Sequence, residues 1–513
     1  MAEPLNVPVR LRPSDDPARH AHDTNDAGVG EARDPARMHR YDPTTEALAQ
    51  AVVHYALDRV RLDPPPLDGP RSASDLDRLG PTITSEGLGG MEALRLFCEH
   101  LAPATISQDH PRAVSFVPTA PTEAAVLFDL VVGASSIYAG SWMEGAGAVW
   151  AENQAMRWIA DLAGFPATAG GVFVSGGTAG NLSALVTARD VAQRRWGKPL
   201  TRWYVMVAAG AHSSIASAAR AMDIGVIKVP SDATGRLRAD DLRAAIAATR
   251  AEGIAVGDVD RNAGFAADVP VTPRGIVFAI AATAGTTNLG LVDDLAGVAE
   301  IAHAEDVWLH VDGAYGGAAL AAPSVRHLFD GIESADSFIV DPHKWLFAPF
   351  DCCALLYRDP VTASRAHTQH AEYLDVLQED GEWNPSDYAM HLTRRARGLP
   401  LWYSLATHGT LAYTDAIEVA IAVTHEIADE IRVTPHLDLL FEPELSVVVF
   451  RRRGWTSEQY YAWSGRMLTE QRAFCVPTSV TGADGSPETV LRFCVVNPRT
   501  TADDLRDILS TLA

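Results

Sequence analysis

Lysine is nearly absent from this chain: of 42 basic residues only Lys198, Lys228 and Lys344 are lysines, and the rest are arginines. Arginine serves wherever a plain positive charge suffices, because the guanidinium stays protonated at any ordinary pH. It cannot serve where an ε-amine must become neutral and attack a carbonyl, so each retained lysine is a candidate for chemistry. Cysteine is also scarce. Cys98, Cys352, Cys353, Cys475 and Cys494 form no Cys-x-x-Cys pair and are odd in number, which argues against a disulfide framework and against a zinc site. There is no run of roughly eighteen apolar residues to cross a bilayer, and the amino terminus lacks the apolar core of a secretory signal. A cytoplasmic protein with no membrane partner is the expectation. Positive charge is outweighed too: a net charge of −23 repels phosphate backbones and anionic lipid, so no nucleic-acid partner is expected.

What the chain does contain is the composition of a globular protein, 47% hydrophobic and 21% charged over 513 residues, more than one minimal core requires. Residues 1–42, rich in Asp, Arg, Pro and His, read as a disordered acidic tail. Leu48, Val52, Tyr55, Ala56 and Val60 then recur at helical spacing over Thr44–Val60, and Pro64, Pro65 and Pro66 stop that helix. From about Gly171 to Arg358 short apolar runs alternate with helical stretches, the signature of parallel βαβ units. The candidate strands are Gly171–Val174, Trp203–Ala208, Ile224–Val229, Ile276–Ala282, Val307–Val311, Ser337–Val340 and Ala354–Tyr357. Beyond about Thr407 the spacing changes to that of a smaller α+β domain.

Four segments carry groups suited to chemistry. Val172 to Asn181 runs from a strand through Gly176-Gly177-Thr178 into a helix, where free N–H groups and the helix dipole favour an anion. A plain strand-to-helix turn explains such glycines about as well. His310-Val311-Asp312-Gly313-Ala314-Tyr315 places a carboxylate at the end of an apolar strand, where open parallel sheets bind ligands. A buried aspartate needs a cationic or hydrogen-bonded partner, and a protonated pyridine nitrogen is one; a structural salt bridge is another. Asp341-Pro342-His343-Lys344-Trp345 follows the next strand. Desolvation beside Trp345 and Phe347, with neighbouring positive potential, is expected to lower the lysine pKa and favour the free amine. Ala211-His212-Ser213-Ser214 opens a further helix at the same rim.

Together these residues resemble the group II pyridoxal-phosphate-dependent amino acid decarboxylases, which include aromatic-amino-acid and glutamate decarboxylases. The resemblance runs from about Thr44 to the carboxyl terminus. It implies an α/β fold of the type I aminotransferase-like class, with a mainly parallel sheet in a large domain (119–406) and a small carboxyl-terminal α+β domain (407–513). It also implies an amino-terminal helical segment (43–118) packed on the other subunit of an obligate homodimer. On the family pattern pyridoxal 5'-phosphate is held as a Schiff base by Lys344, Asp312 pairs with its ring nitrogen, and His212 stacks on the face opposite Ala314. Gly177 and Thr178 hold the phosphate with Ser337 and Thr287 nearby, His343 is a candidate proton donor, and Arg492 binds the substrate carboxylate.

Phe116 stands where a glutamate decarboxylase places glutamine, and with Thr119 it lies in a segment similar to the family's pocket lining, which favours an aromatic or apolar substrate over an acidic one. Gly140, where aromatic-amino-acid decarboxylases have a bulky ring, implies a wider or reshaped pocket. Pro385 falls at the place of the loop tyrosine that returns a proton in animal and plant relatives, leaving Tyr373, Tyr388 or a histidine as substitutes. The expected reaction is therefore decarboxylation of an L-amino acid to the amine. Two alternatives stand beside it: an aldehyde-forming or aminotransferase activity on the same scaffold, and a catalytically silent dimeric scaffold. The joint presence of Lys344, Asp312 and His212 counts against the last.

Overall fold

A computed structural model describes residues 36–197, 202–232, 234–257, 274–369, 382–482 and 485–513. The tail, apart from 36–42, lies outside the described residues, as do Lys198 and Tyr373. The described residues divide into two units, one up to Leu57 and one from Asp58 onward. The expected amino-terminal helix is present as Pro43–Arg61.

Eight strands build the main sheet: β1 (Gly170–Val174), β2 (Trp203–Ala208), β3 (Gly225–Val229), β4 (Ile254–Val256), β5 (Gly275–Thr283), β6 (Trp308–Asp312), β7 (Ser337–Val340) and β8 (Cys353–Tyr357). Their order is β1-β8-β7-β6-β5-β2-β3, with β4 on β5, and every pairing is parallel except the two made by β8. All seven expected strands are therefore found in it, and β4, three residues long, was not foreseen. All nine residues of β5 are buried, as befits a central strand covered on both faces by crossover helices. The helices Gly177–Trp196 and Ser213–Ala221 begin where the glycine turn and Ala211-His212-Ser213-Ser214 led to the expectation of helices, and Leu295–Glu305 is a further crossover helix.

A second sheet, all antiparallel, has the order β11-β12-β10-β9, where β9 is Leu437–Phe441, β10 Val447–Arg452, β11 Thr478–Thr481 and β12 Pro487–Cys494. Thr410–Val433, Ser457–Thr469 and Ala502–Ser510 are its helices. The expected domain boundary at 406/407 falls inside helix Leu399–His408, and residues 58–513 hold together as one unit. Among the described residues no helix is long and apolar enough to cross a membrane.

A buried ion pair ties the sheet to its flanking segments. Arg394 is paired with Glu152 (Nη1 to Oε2 2.8 Å, Nη2 to Oε1 3.0 Å) and also donates to the carbonyls of Ala139 and Phe173. Both side chains are almost wholly buried, and the Gly398 N–H completes the Glu152 acceptor set at 2.7 Å.

Candidate active site

Parallel strands place their carboxyl ends along one edge, and there a cavity of about 420 Å³ opens. Its lining includes the expected Gly177, Thr178, His212, Thr287, Asp312, Ala314, His343 and Lys344, together with the unforeseen Asn181, Ser214, Phe350 and Asp351. Helix Gly177–Trp196 begins here. Gly176, at its N-cap position, has no side chain to cap the helix, and while the Ala179 N–H bonds the Gly176 carbonyl at 2.9 Å, the start of this helix is suited to an anion. A Cβ on Gly177 would stand 3.2 Å from both Ala314 Cβ and Asp341 Oδ2, a tight contact that glycine relieves.

Asp312 ends β6 and is 6% exposed. It accepts hydrogen bonds from Asn181 Nδ2 (2.8 Å) and from the Ala314 N–H (3.1 Å). His212 caps helix Ser213–Ala221, its Nδ1 accepting from the Ser214 N–H at 3.2 Å and lying 2.8 Å from Ser214 Oγ. His343 is fixed through Nδ1, 2.7 Å from the Cys352 carbonyl, and burial pulls its pKa down.

Lys344 sits in the short helix Pro342–Trp345, with Nζ 2.9 Å from Asp341 Oδ2. The sequence led to the expectation of a depressed pKa, and the structure reverses it. Desolvation does pull the amine down, but the charge and hydrogen bond of Asp341, with Asp312 behind, more than offset that and raise the pKa. An asparagine at this place would not do so, because a neutral amide has no charge to hold the ammonium. Asp341→Asn is therefore expected to lower the Lys344 pKa and to move the pH dependence of cofactor capture to lower pH. Stopped-flow absorbance of cofactor-free protein mixed with pyridoxal phosphate at a series of pH values measures this; an unmoved profile would refute the assigned cause.

Ser337 requires correction. It begins β7, so it lies at the amino end of a parallel strand, away from the cavity, and its hydroxyl is engaged by Trp308 Nε1 (2.9 Å) and His310 Nδ1 (2.8 Å). Phe116, Thr119 and Arg492 are outside the cavity lining as well. Phe116 has φ 53° and an exposed ring 5.9 Å from that of Phe474, while Thr119 donates to the Ala348 carbonyl at 3.3 Å. Arg492 is 4% exposed, and its Nε and Nη2 have no hydrogen-bond partner among the described residues. Tyr388 stacks on Trp383 with ring centroids 4.0 Å apart and does not line the cavity. Nor is there extra room at Gly140: a Cβ there would collide with the Tyr138 side chain, whose hydroxyl donates to the Leu392 carbonyl at 3.0 Å.

An anion-binding helix start, a lysine and a buried carboxylate around one cavity form a site of the pyridoxal-phosphate class, and comparison with known proteins narrows it. Residues 94–267 and 271–453 match the pyridoxal-dependent decarboxylase conserved domain, and the chain belongs to this family. Among its relatives, an aromatic-L-amino-acid decarboxylase of Bacillus atrophaeus is 27% identical, over 84% of this chain and 87% of the relative. An L-2,4-diaminobutyrate decarboxylase of Rhizobium meliloti is 30% identical over 79% and 77%. The solved structure of Oryza sativa TDC with PLP and tryptamine superposes with a TM-score of 0.79 at 24% identity, covering 92% of this chain and 98% of that one. The protein is thus a pyridoxal-phosphate-dependent amino acid decarboxylase, a carboxy-lyase, with the type I fold.

Proposed function

We propose that the substrate is an aromatic L-amino acid and the product its amine. The observation that carries this reading is the charge of the cavity wall: among the described residues that line it Lys344 is the one Lys or Arg, while Asp312, Asp341 and Asp351 all line it. An acidic side chain would enter without a counter-charge, whereas the Phe350 ring, 55% exposed, offers an apolar surface. The Bacillus relative named for aromatic amino acids supports the same reading.

The residues fit the cofactor. Gly177, Thr178 and Thr287 would hold its phosphate, Lys344 its carbonyl carbon, Asp312 its ring nitrogen, and His212 with Ala314 the two ring faces. When bound, pyridoxal phosphate supplies an electron-withdrawing ring that takes up the electron pair left when the Cα–carboxylate bond breaks. Asp312 would keep the ring nitrogen protonated and His343 or His212 would deliver the proton that replaces carbon dioxide on Cα; Arg492, which lies outside the cavity lining, is assigned the substrate carboxylate on its Nε and Nη2, which have no partner among the described residues. Leu127, Leu130 and Val131, exposed on helix Glu123–Ser135, are consistent with a second copy covering that face in a homodimer.

A second reading, a diamino acid substrate, is favoured by Asp351, a cavity-wall carboxylate, and by the diaminobutyrate relative. Asp351 already pairs with Arg397 at 2.8 Å, which blunts its pull on a cation.

The test is a panel of L-amino acids given to the cofactor-loaded enzyme, measuring carbon dioxide, amine and peroxide. Aromatic substrates are expected to give carbon dioxide and amine in equal amounts without peroxide. Preference for 2,4-diaminobutyrate would establish the second reading, and aldehyde with peroxide would overturn the amine product. Arg492→Gln is expected to lower kcat/KM by about tenfold to a hundredfold, the worth of a charge-assisted hydrogen bond. An unchanged kcat/KM would remove Arg492 from the site.

A further inference from the structure

Behind Asp312 a file of polar side chains crosses the buried sheet. Asn181 Nδ2 donates to Asp312 Oδ2 at 2.8 Å, and Asn181 Oδ1 lies 2.7 Å from His310 Nε2. His310 Nδ1 lies 2.8 Å from Ser337 Oγ, which accepts from Trp308 Nε1 at 2.9 Å. Asn181, His310 and Ser337 are each 0% exposed. We propose that Asn181 and His310 are positioning residues, members of a chain of fixed polarity that holds the Asp312 carboxylate ionised and aimed at the ring nitrogen of the cofactor.

The polarity follows from what each group can do. An ionised carboxylate only accepts, so Asn181 must turn its NH₂ to Asp312 and its carbonyl to His310. His310 Nε2 must then carry the ring proton, which leaves Nδ1 bare to accept the Ser337 hydroxyl proton. Ser337 in turn accepts from the indole N–H of Trp308, a group that only donates. Burial pushes the His310 pKa down to about 4, so the ring stays neutral and holds this single tautomer. The second Asn181 N–H goes to Ser214 Oγ at 2.9 Å, joining His212 to the same network.

Every donor in the file points toward Asp312. Donors aimed at a carboxylate favour its charged form against the desolvation that opposes it, and that charge keeps a proton on the nitrogen opposite. The alternative, a core network that merely satisfies buried polar atoms, would cost stability when broken and leave the cofactor's ring unaffected.

This inference rests on the role given to Asp312 above, and one set of holoenzymes separates the two. Wild type, Asp312→Asn, Asn181→Leu and Ser337→Ala are compared by the pH dependence of the bound cofactor's visible absorption, by its dissociation constant, and by kcat against KM. Asn181→Leu is expected to move the loss of the ring proton to lower pH and to cut kcat about tenfold or more, with KM changing less than about threefold. Ser337→Ala should move the titration in the same direction by less, and carries the test if Asn181→Leu does not fold. The proposal is overturned if Asp312→Asn shifts the titration while both other variants keep the wild-type profile and lose only melting temperature. If Asp312→Asn leaves the profile unmoved, the role of Asp312 itself falls.

Discussion

Lys344→Ala is expected to lower kcat by about a thousandfold or more, equivalent to about 4 kcal/mol of barrier, as read by carbon dioxide release from the cofactor-loaded variant. Of the two other lysines, Lys228 lies on β3 and does not line the cavity, and Lys198 lies outside the described residues. The same substitution has a second consequence. Asp341 is 2% exposed, and its Oδ1 has no hydrogen-bond partner, so Lys344 is the near cation that compensates its charge. With His343 Nε2 3.7 Å away, removing the ammonium leaves a buried carboxylate uncompensated, at a cost of about 3 kcal/mol. Cofactor-free Lys344→Ala is therefore expected to unfold at lower urea than cofactor-free wild type, and Lys344→Ala with Asp341→Asn to recover most of the loss. A double-mutant cycle in urea measures the coupling. Equal urea midpoints for all four proteins would show that the pair contributes nothing.

Arg394→Ala is expected to cause a large loss of stability. The guanidinium serves Glu152 and two carbonyls, and alanine would leave the carboxylate with the Gly398 N–H and the Ala139 and Phe173 carbonyls without this donor. Breaking such a buried pair costs about 3–5 kcal/mol, whereas replacing both partners with apolar residues of similar volume costs much less. The damage reaches the site, because Phe173 lies on β1 just before Gly176 and Gly177, and cofactor affinity should fall with stability. Glu152→Leu with Arg394→Met should be more stable than Arg394→Ala alone, as read by urea denaturation of the cofactor-free protein. A double variant no more stable than the single one would refute the cost assigned to the stranded carboxylate.

The large sheet was legible because its central strands are buried on both faces and read as continuous apolar runs bounded by turns, as β5 does. Edge and short strands carry a weaker pattern: β4 has three residues, and β9 and β11 are partly exposed, so they escaped notice. Lys344, Asp312 and His212 were found because each directly follows or ends a strand, where chain direction alone puts it at the carboxyl edge. Ser337 was misplaced against that same logic, since it opens its strand and lies about 10 Å from the far end at the usual rise per residue.

Asn181 and His310 were missed as members of the site, yet both leave a trace. Asn181 is a polar residue on the buried side of a helix, four positions after Gly177, and His310 precedes Asp312 by two on one strand, which places both on one face. The Lys344 pKa was misjudged because a sequence does not tell how near Asp341 comes. The unpartnered nitrogens of Arg492 depend on packing between distant segments, which no local pattern encodes.

The central claim is that Lys344 binds the cofactor. Borohydride reduction of the loaded enzyme fixes pyridoxal phosphate to the amine that holds it, and peptide mass mapping then locates the mass. With three lysines in the chain there are few answers. The label is expected on Lys344 in His343-Lys344-Trp345; a label on Lys198 or Lys228, or none retained, would show that Lys344 does not hold the cofactor.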